Sequence, residues 1–179
     1  MLDRMNPKPR TPLAPQPLSP STPLPPADPD RRLDTDVALL EQLTVLMMTA
    51  NQRQVWLFFL DDEHRLAEPI MPMDDYPLEP DELCDTDDLG RVPFSQVFID
   101  RAQLVCRMIA AREFVVVWER PGGEVLSPVD QRWVRAVMET MKLRESGAVS
   151  DSGSDSTPLR RQMLLHDGGL RMIEADELG

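Results

Sequence analysis

The sequence predicts an α/β fold, a mixed β-sheet flanked by helices, preceded by a disordered Pro-rich N-terminal tail. Three observations carry this. Val55–Leu60 reads Val-Trp-Leu-Phe-Phe-Leu. Such a continuous apolar run is too short for a helix and suits a strand covered on both faces. Glu113–Trp118 has the same character and passes through a glycine turn into a helical pattern. Apolar residues also recur at helical spacing at Val37, Leu40, Leu43, Leu46 and Met47.

Residues 1–32 carry ten prolines. Repeated proline removes backbone donors and fixes φ, so neither helix nor sheet propagates, and a disordered or polyproline-type tail is expected. Pro23-Leu24-Pro25-Pro26 has the composition of a segment that docks an aromatic groove. The folded domain is expected over 33–179. Asp34-Thr35-Asp36 offers caps for the first helix, with Asn51 as a left-handed stop. After the Val55–Leu60 strand, Asp61–Arg65 reads as a turn and Leu66–Met73 as a return strand. Pro69 and Pro72 push that strand to a sheet edge.

Residues 74–91 read as loop. Twelve acidic residues and one basic residue fall between Asp61 and Gly90, a pattern expected of a solvated acidic segment. Asp100 is the expected cap of the next helix, whose apolar face carries Ala102, Val105, Cys106, Ile109 and Ala110. Ser127–Leu143 is expected as another helix, 146–157 as a flexible linker, Gln162–His166 as a strand, and Leu170–Ile173 as the closing strand after an Asp-Gly-Gly turn.

The chain's 179 residues suffice for one ordinary domain and a tail. Net charge is −12, from 31 acidic and 19 basic residues. That balance argues against nucleic acid and anionic membranes as partners, because neutralising phosphate takes clustered Lys and Arg. No apolar run approaches the ~18 residues of a membrane helix. The N-terminus lacks the apolar core of a signal peptide, so the expected location is cytoplasmic. Cys84 and Cys106, the only cysteines, suggest no disulfide framework.

The most informative stretch is Val115-Val116-Val117-Trp118-Glu119-Arg120-Pro121-Gly122-Gly123, followed by Ser127-Pro128-Val129-Asp130. Strand, Pro-Gly turn, and a helix opening with Ser-Pro-x-Asp follow one another. This layout resembles the zinc signature of the JAB/MPN metalloprotease-like domain, in particular its bacterial RadC-type branch. There, His-x-His-Pro-x-Gly is followed by a short spacer and Ser-x-x-Asp. The earlier strand Arg53–Asp61, the turn to Leu66 and the Ser95-Gln96-Val97-Phe98 helix start agree with the same family order, as do Met163–Ile173.

The resemblance implies zinc held by two histidines and the aspartate. It also implies a glutamate as general base and a serine beside the tetrahedral intermediate; zinc would lower the pKa of its bound water. The matching positions here are Arg53 for the glutamate, Trp118 and Arg120 for the histidines, Ser127 for the serine and Asp130 for the aspartate. Only Ser127 and Asp130 remain, and the spacer is one residue shorter. Ser-Pro-Val-Asp is also a capping-box variant, which a helix start selects with or without a metal.

The expectation is therefore a catalytically inactive JAB/MPN-like domain with no metal and no cofactor, acting as a binding or regulatory module for a protein partner. The alternatives are a metal-dependent hydrolase with a rebuilt site and a DNA-repair-associated RadC-like protein. His64, His166 and Cys84 show no zinc-ligand spacing. No Gly-x-Ser-x-Gly elbow and no phosphate loop occur. Arg53 and Arg120 are expected to approach each other in the former metal cavity. There they would either pair with Glu119, Glu124 or Asp130, or hold an anionic ligand.

Overall fold

The computed structural model describes residues 28–147 and 156–178. Residues 1–27 of the expected tail over 1–32, and residues 148–155 of the expected linker over 146–157, lie outside the described residues. The elements run α1 (Asp36–Met47), β1 (Gln54–Leu60), β2 (Leu66–Met73), β3 (Leu83–Thr86), β4 (Gly90–Pro93), α2 (Phe94–Ile109), β5 (Glu113–Glu119), α3 (Pro128–Glu145), β6 (Leu159–His166) and β7 (Gly169–Met172), closed by a 3-10 turn at Ala175–Leu178.

Five strands form one sheet in the order β2-β1-β5-β6-β7. Only β5 and β6 are parallel, so the sheet is mixed. Successive side chains of a strand point to opposite faces. Val55, Leu57, Phe59, Phe114, Val116 and Trp118 thus face α2 and α3, in a core with Phe98, Ile99, Trp133 and Val137. Phe58, Leu60, Val115 and Val117 face the other way and pack with Leu39 and Leu43 of α1 and with Leu33. Both faces are covered, which is why β1 and β5 read as unbroken apolar runs. The edge position of β2, with Pro69 and Pro72 in it, agrees with the sequence.

Residues 28–33 form a strap along α1. The Gln42 side chain donates to the Asp28 carbonyl at 2.9 Å, Arg31 pairs with Glu41 at 2.6 Å, and Leu33 is fully buried. At the far side of the linker, the buried Gln103 amide donates to the Thr157 carbonyl at 2.7 Å and accepts from its N–H at 2.8 Å.

Three expectations need correction. Asp100 does not cap α2 but lies inside it. The helix starts at Phe94 because Pro93 fixes φ at −59°, and the free N–H groups of Phe94 and Ser95 donate to the carbonyls of Glu82 and Pro80. Asp100 instead pairs with Arg144, at 2.8 Å, and ties α2 to α3. Asn51 does not stop α1; Met48 takes the positive φ of 57°, and the Asn51 N–H is used by Glu119. The 74–91 segment is not all loop. It contains the β3–β4 hairpin, with Gly90 at φ +71° closing its turn and Thr86 bonded across it.

Candidate functional site

Arg53, Trp118 and Arg120 come to one face of the sheet through β1 and β5. Val55 pairs with Trp118 and Gln54 with Glu119. Alternation puts Arg53 and Arg120, one step further on, on the same side as Trp118. Ser127 and Asp130 reach this region from the start of α3.

Trp118 is 2% exposed and lies within an aromatic cluster. Its ring centroid is 5.6 Å from Trp133, 5.8 Å from Tyr76 and 6.0 Å from Phe98. Tyr76 and Phe94 close on Trp133 edge-on at 5.3 and 6.0 Å. Such tilted and edge-to-face pairs satisfy the ring quadrupoles and add about 0.5–1.5 kcal/mol each beyond burial. The indole N–H donates to Gln162 Oε1 at 2.9 Å, and the Gln162 amide donates to the Val134 carbonyl at 3.1 Å. The one polar atom of Trp118 thus has a buried partner that is itself anchored. Burial drives the Tyr76 hydroxyl up to about 12, against an opposing pull from Arg53, so it stays protonated at neutral pH.

Arg120 sits at the rim, with its side chain 17% exposed. Nε donates to Asp130 Oδ2 at 2.6 Å, and the two terminal nitrogens donate to the Pro121 and Val125 carbonyls. The 121–125 spacer therefore wraps around the guanidinium. Gly122 has φ +118°, a backbone conformation that favours glycine, and a Cβ there would press on Arg120 Nη1 at 3.0 Å. Asp130 Oδ2 also accepts the Ser127 N–H at 2.7 Å, while Ser127 Oγ accepts the Asp130 N–H at 3.2 Å. The reciprocal capping box is complete.

Arg53 takes a different route. It donates to the carbonyls of Tyr76 and Pro77 at 2.8 and 3.0 Å, and its guanidinium carbon lies 3.7 Å from the Tyr76 ring centroid. It fastens the loop after β2 onto the aromatic cluster. Of the carboxylates proposed as partners for the two arginines, only Asp130 is used, and only by Arg120. Its contact is made through one nitrogen, without a bidentate fork.

Glu119, expected as a partner for Arg53 or Arg120, points instead to the opposite face and forms a polar hub there. It is 2% exposed and accepts from the Asn51 N–H (2.8 Å), the Gln54 amide (2.5 Å) and the Trp56 indole (2.7 Å). Burial alone would raise its pKa, but these donors more than offset that and hold it below the ordinary carboxylate value. The available signal was an acid abutting a fully apolar strand.

His64 bonds to Glu113 at 2.8 Å, and Arg160 reaches the same carboxylate oxygen at 2.9 Å. His166 accepts the Gly168 N–H. Among the described residues, no three His, Cys, Asp or Glu side chains gather in a way that would hold a metal ion. An open groove of about 340 Å³ runs beside α3, lined in part by Pro80, Pro93, Arg132, Arg135 and Leu143. None of the five motif positions lines it. No helix of the described residues is long and apolar enough to cross a membrane.

No protein-family model matches this chain, and no curated protein or solved structure matches it either.

Proposed function

We propose that this chain is a catalytically inactive relative of the JAB/MPN metalloprotease-like domain, of RadC type, that works as a binding module for a protein partner. One observation carries the reading. Where the resemblance places two zinc-binding imidazoles, there stand an indole packed into an aromatic cluster and a guanidinium paired with the would-be aspartate ligand. An indole N–H has no lone pair to offer a metal, and an arginine cannot be deprotonated to become a ligand. The aspartate's Oδ2 is already shared by Arg120 and the Ser127 N–H, which supports a structural role for what remains of the motif.

Elemental analysis of the tag-free protein, with a chelator-sensitive peptidase and isopeptidase assay, tests this. Sub-stoichiometric zinc and no chelator-sensitive cleavage are expected. About one equivalent of zinc with such cleavage would establish a rebuilt hydrolase site.

A further inference from the structure

The open groove of about 340 Å³ beside α3 carries chemistry that the motif region does not use. One wall is α3 itself, through Arg132, Arg135, Ala136, Glu139, Thr140 and Leu143. The spacing i, i+3, i+4, i+7, i+8, i+11 puts these on one stripe of the helix, about 16 Å long. The other wall is Pro80, Asp81, Pro93 and Ser95, where the loop before β3 meets the β4–α2 junction. Pro80, Pro93, Ala136 and Leu143 give both walls apolar surface.

The groove's two cations are already engaged. Arg132 donates to Glu79 at 2.8 Å, and Arg135 donates to the Leu178 carbonyl. Asp81 and Glu139 also line the groove, and neither has an ion pair or a side-chain hydrogen bond among the described residues. The charge left uncompensated is therefore negative. Ser95 adds an independent sign of a missing partner. It is 7% exposed and lines the groove, and its N–H goes to the Pro80 carbonyl. Its hydroxyl bonds to nothing among the described residues, and no side chain caps α2. A polar atom held this deep ordinarily has a partner.

We propose that this groove binds an arginine side chain of a partner protein. The guanidinium donates to the Asp81 and Glu139 carboxylates and to the Ser95 hydroxyl, and the aliphatic stem lies on Pro80, Pro93 and Leu143. A planar guanidinium carries five N–H donors and can serve acceptors on two walls at once, whereas a lysine ammonium has three donors about one atom. The chain's net charge of −12 steers a cationic partner towards it. This names the partner chemistry for the binding-module reading and rests on that half of it; the absence of catalysis is tested separately by zinc content.

Titrating the 15N-labelled full chain with N-acetylarginine amide, followed by two-dimensional NMR, reads the site. Saturable shifts are expected at the Ser95, Ala136 and Thr140 amides. N-acetylcitrulline amide, a neutral molecule of nearly the same shape, should bind about tenfold more weakly or worse, because it brings no charge to the two carboxylates. Asp81→Asn with Glu139→Gln, both at exposed positions, should weaken the arginine probe by about the same factor, and Ser95→Ala by roughly two- to tenfold. Equal affinity for the citrulline probe, affinity unchanged in the Asp81→Asn, Glu139→Gln protein, or shifts centred on Asp85, Asp87 and Asp88 instead would each overturn the proposal. Absence of any saturable shift also overturns it, while low zinc content in the same preparation would leave the inactive-domain reading standing.

Discussion

Replacing Trp118 tests whether the motif region is a packed core or a site kept open for chemistry. Trp118→Ala removes a 2%-exposed ring that touches Tyr76, Phe98 and Trp133, and it also removes the indole donor to Gln162. Truncating a buried tryptophan costs about 3–5 kcal/mol. Trp118→Phe keeps an aromatic surface but strands the Gln162 oxygen, a cost of about 1–3 kcal/mol for a buried acceptor. At roughly 3 °C per kcal/mol for a domain of this size, Trp118→Phe should melt ~3–9 °C lower and Trp118→Ala ~9–15 °C lower. Urea unfolding followed by far-UV circular dichroism gives the free energies, and calorimetry gives the melting temperatures. The two variants should differ by about 2 kcal/mol. A Trp118→Ala loss below ~1 kcal/mol would refute the argument, since the cavity would then be open to water or ligand in the native protein.

Further consequences follow from neighbouring contacts. A double-mutant cycle on Arg120→Met and Asp130→Asn should give a coupling of about 1–2 kcal/mol in urea unfolding, because both side chains are largely buried; additive effects would show that the pair contributes nothing. Ser127→Ala should lose about 1 kcal/mol, the ordinary worth of an N-cap, and no more. Glu119 has its folded-state pKa depressed, so its contribution is present above the unfolded value near 4.5 and is lost as the pH falls through the folded value. Glu119→Gln should therefore be less stable at neutral pH and show a flatter acid limb; an unchanged limb would remove Glu119 from the account. Gln103→Ala should speed amide exchange at Thr157 while leaving the α2 core amides protected, because the Thr157 N–H is held by the Gln103 side chain.

The central strands were legible in the sequence because β1 and β5 are covered on both faces, and Val55–Leu60 and Phe114–Trp118 run without a polar residue between them. The helix starts were legible only where a side chain does the capping. Thr35 and Ser127 accept N–H bonds at the starts of α1 and α3, and both segments carry visible cap chemistry. The start of α2 uses backbone carbonyls from Pro80 and Glu82 instead, so nothing local marks Phe94, and Asp100 became the attractive wrong choice. The β3–β4 hairpin is four residues per strand, half of it exposed, within a run of acids whose charge outweighs its alternation. The aromatic cluster around Trp118 depends on Tyr76, Phe94 and Trp133 converging from three separate segments, and no spacing rule along the chain records that.

Ser127-Pro128-Val129-Asp130 has two sufficient causes, and the structure shows the helix-capping one in full. Asp130 Oδ2 receives the Ser127 N–H and the Arg120 Nε–H, and Arg120 is itself closed over by the Pro121 and Val125 carbonyls. Each of these contacts is local to the strand-turn-helix passage, so the passage is self-supporting. The Ser-Pro-x-Asp pattern is thus accounted for as a helix start whatever stands at positions 118 and 120. Introducing imidazoles alone, as Trp118→His with Arg120→His, should yield a less stable protein with weak zinc affinity. The aromatic packing and the Arg120 contact are lost at once, and Arg53 stays fixed on the Tyr76 and Pro77 carbonyls at the position for which the JAB/MPN resemblance implies a general base. Zinc binding in that variant as tight as in a natural three-ligand site, without loss of stability, would show that the cavity had been waiting for its metal.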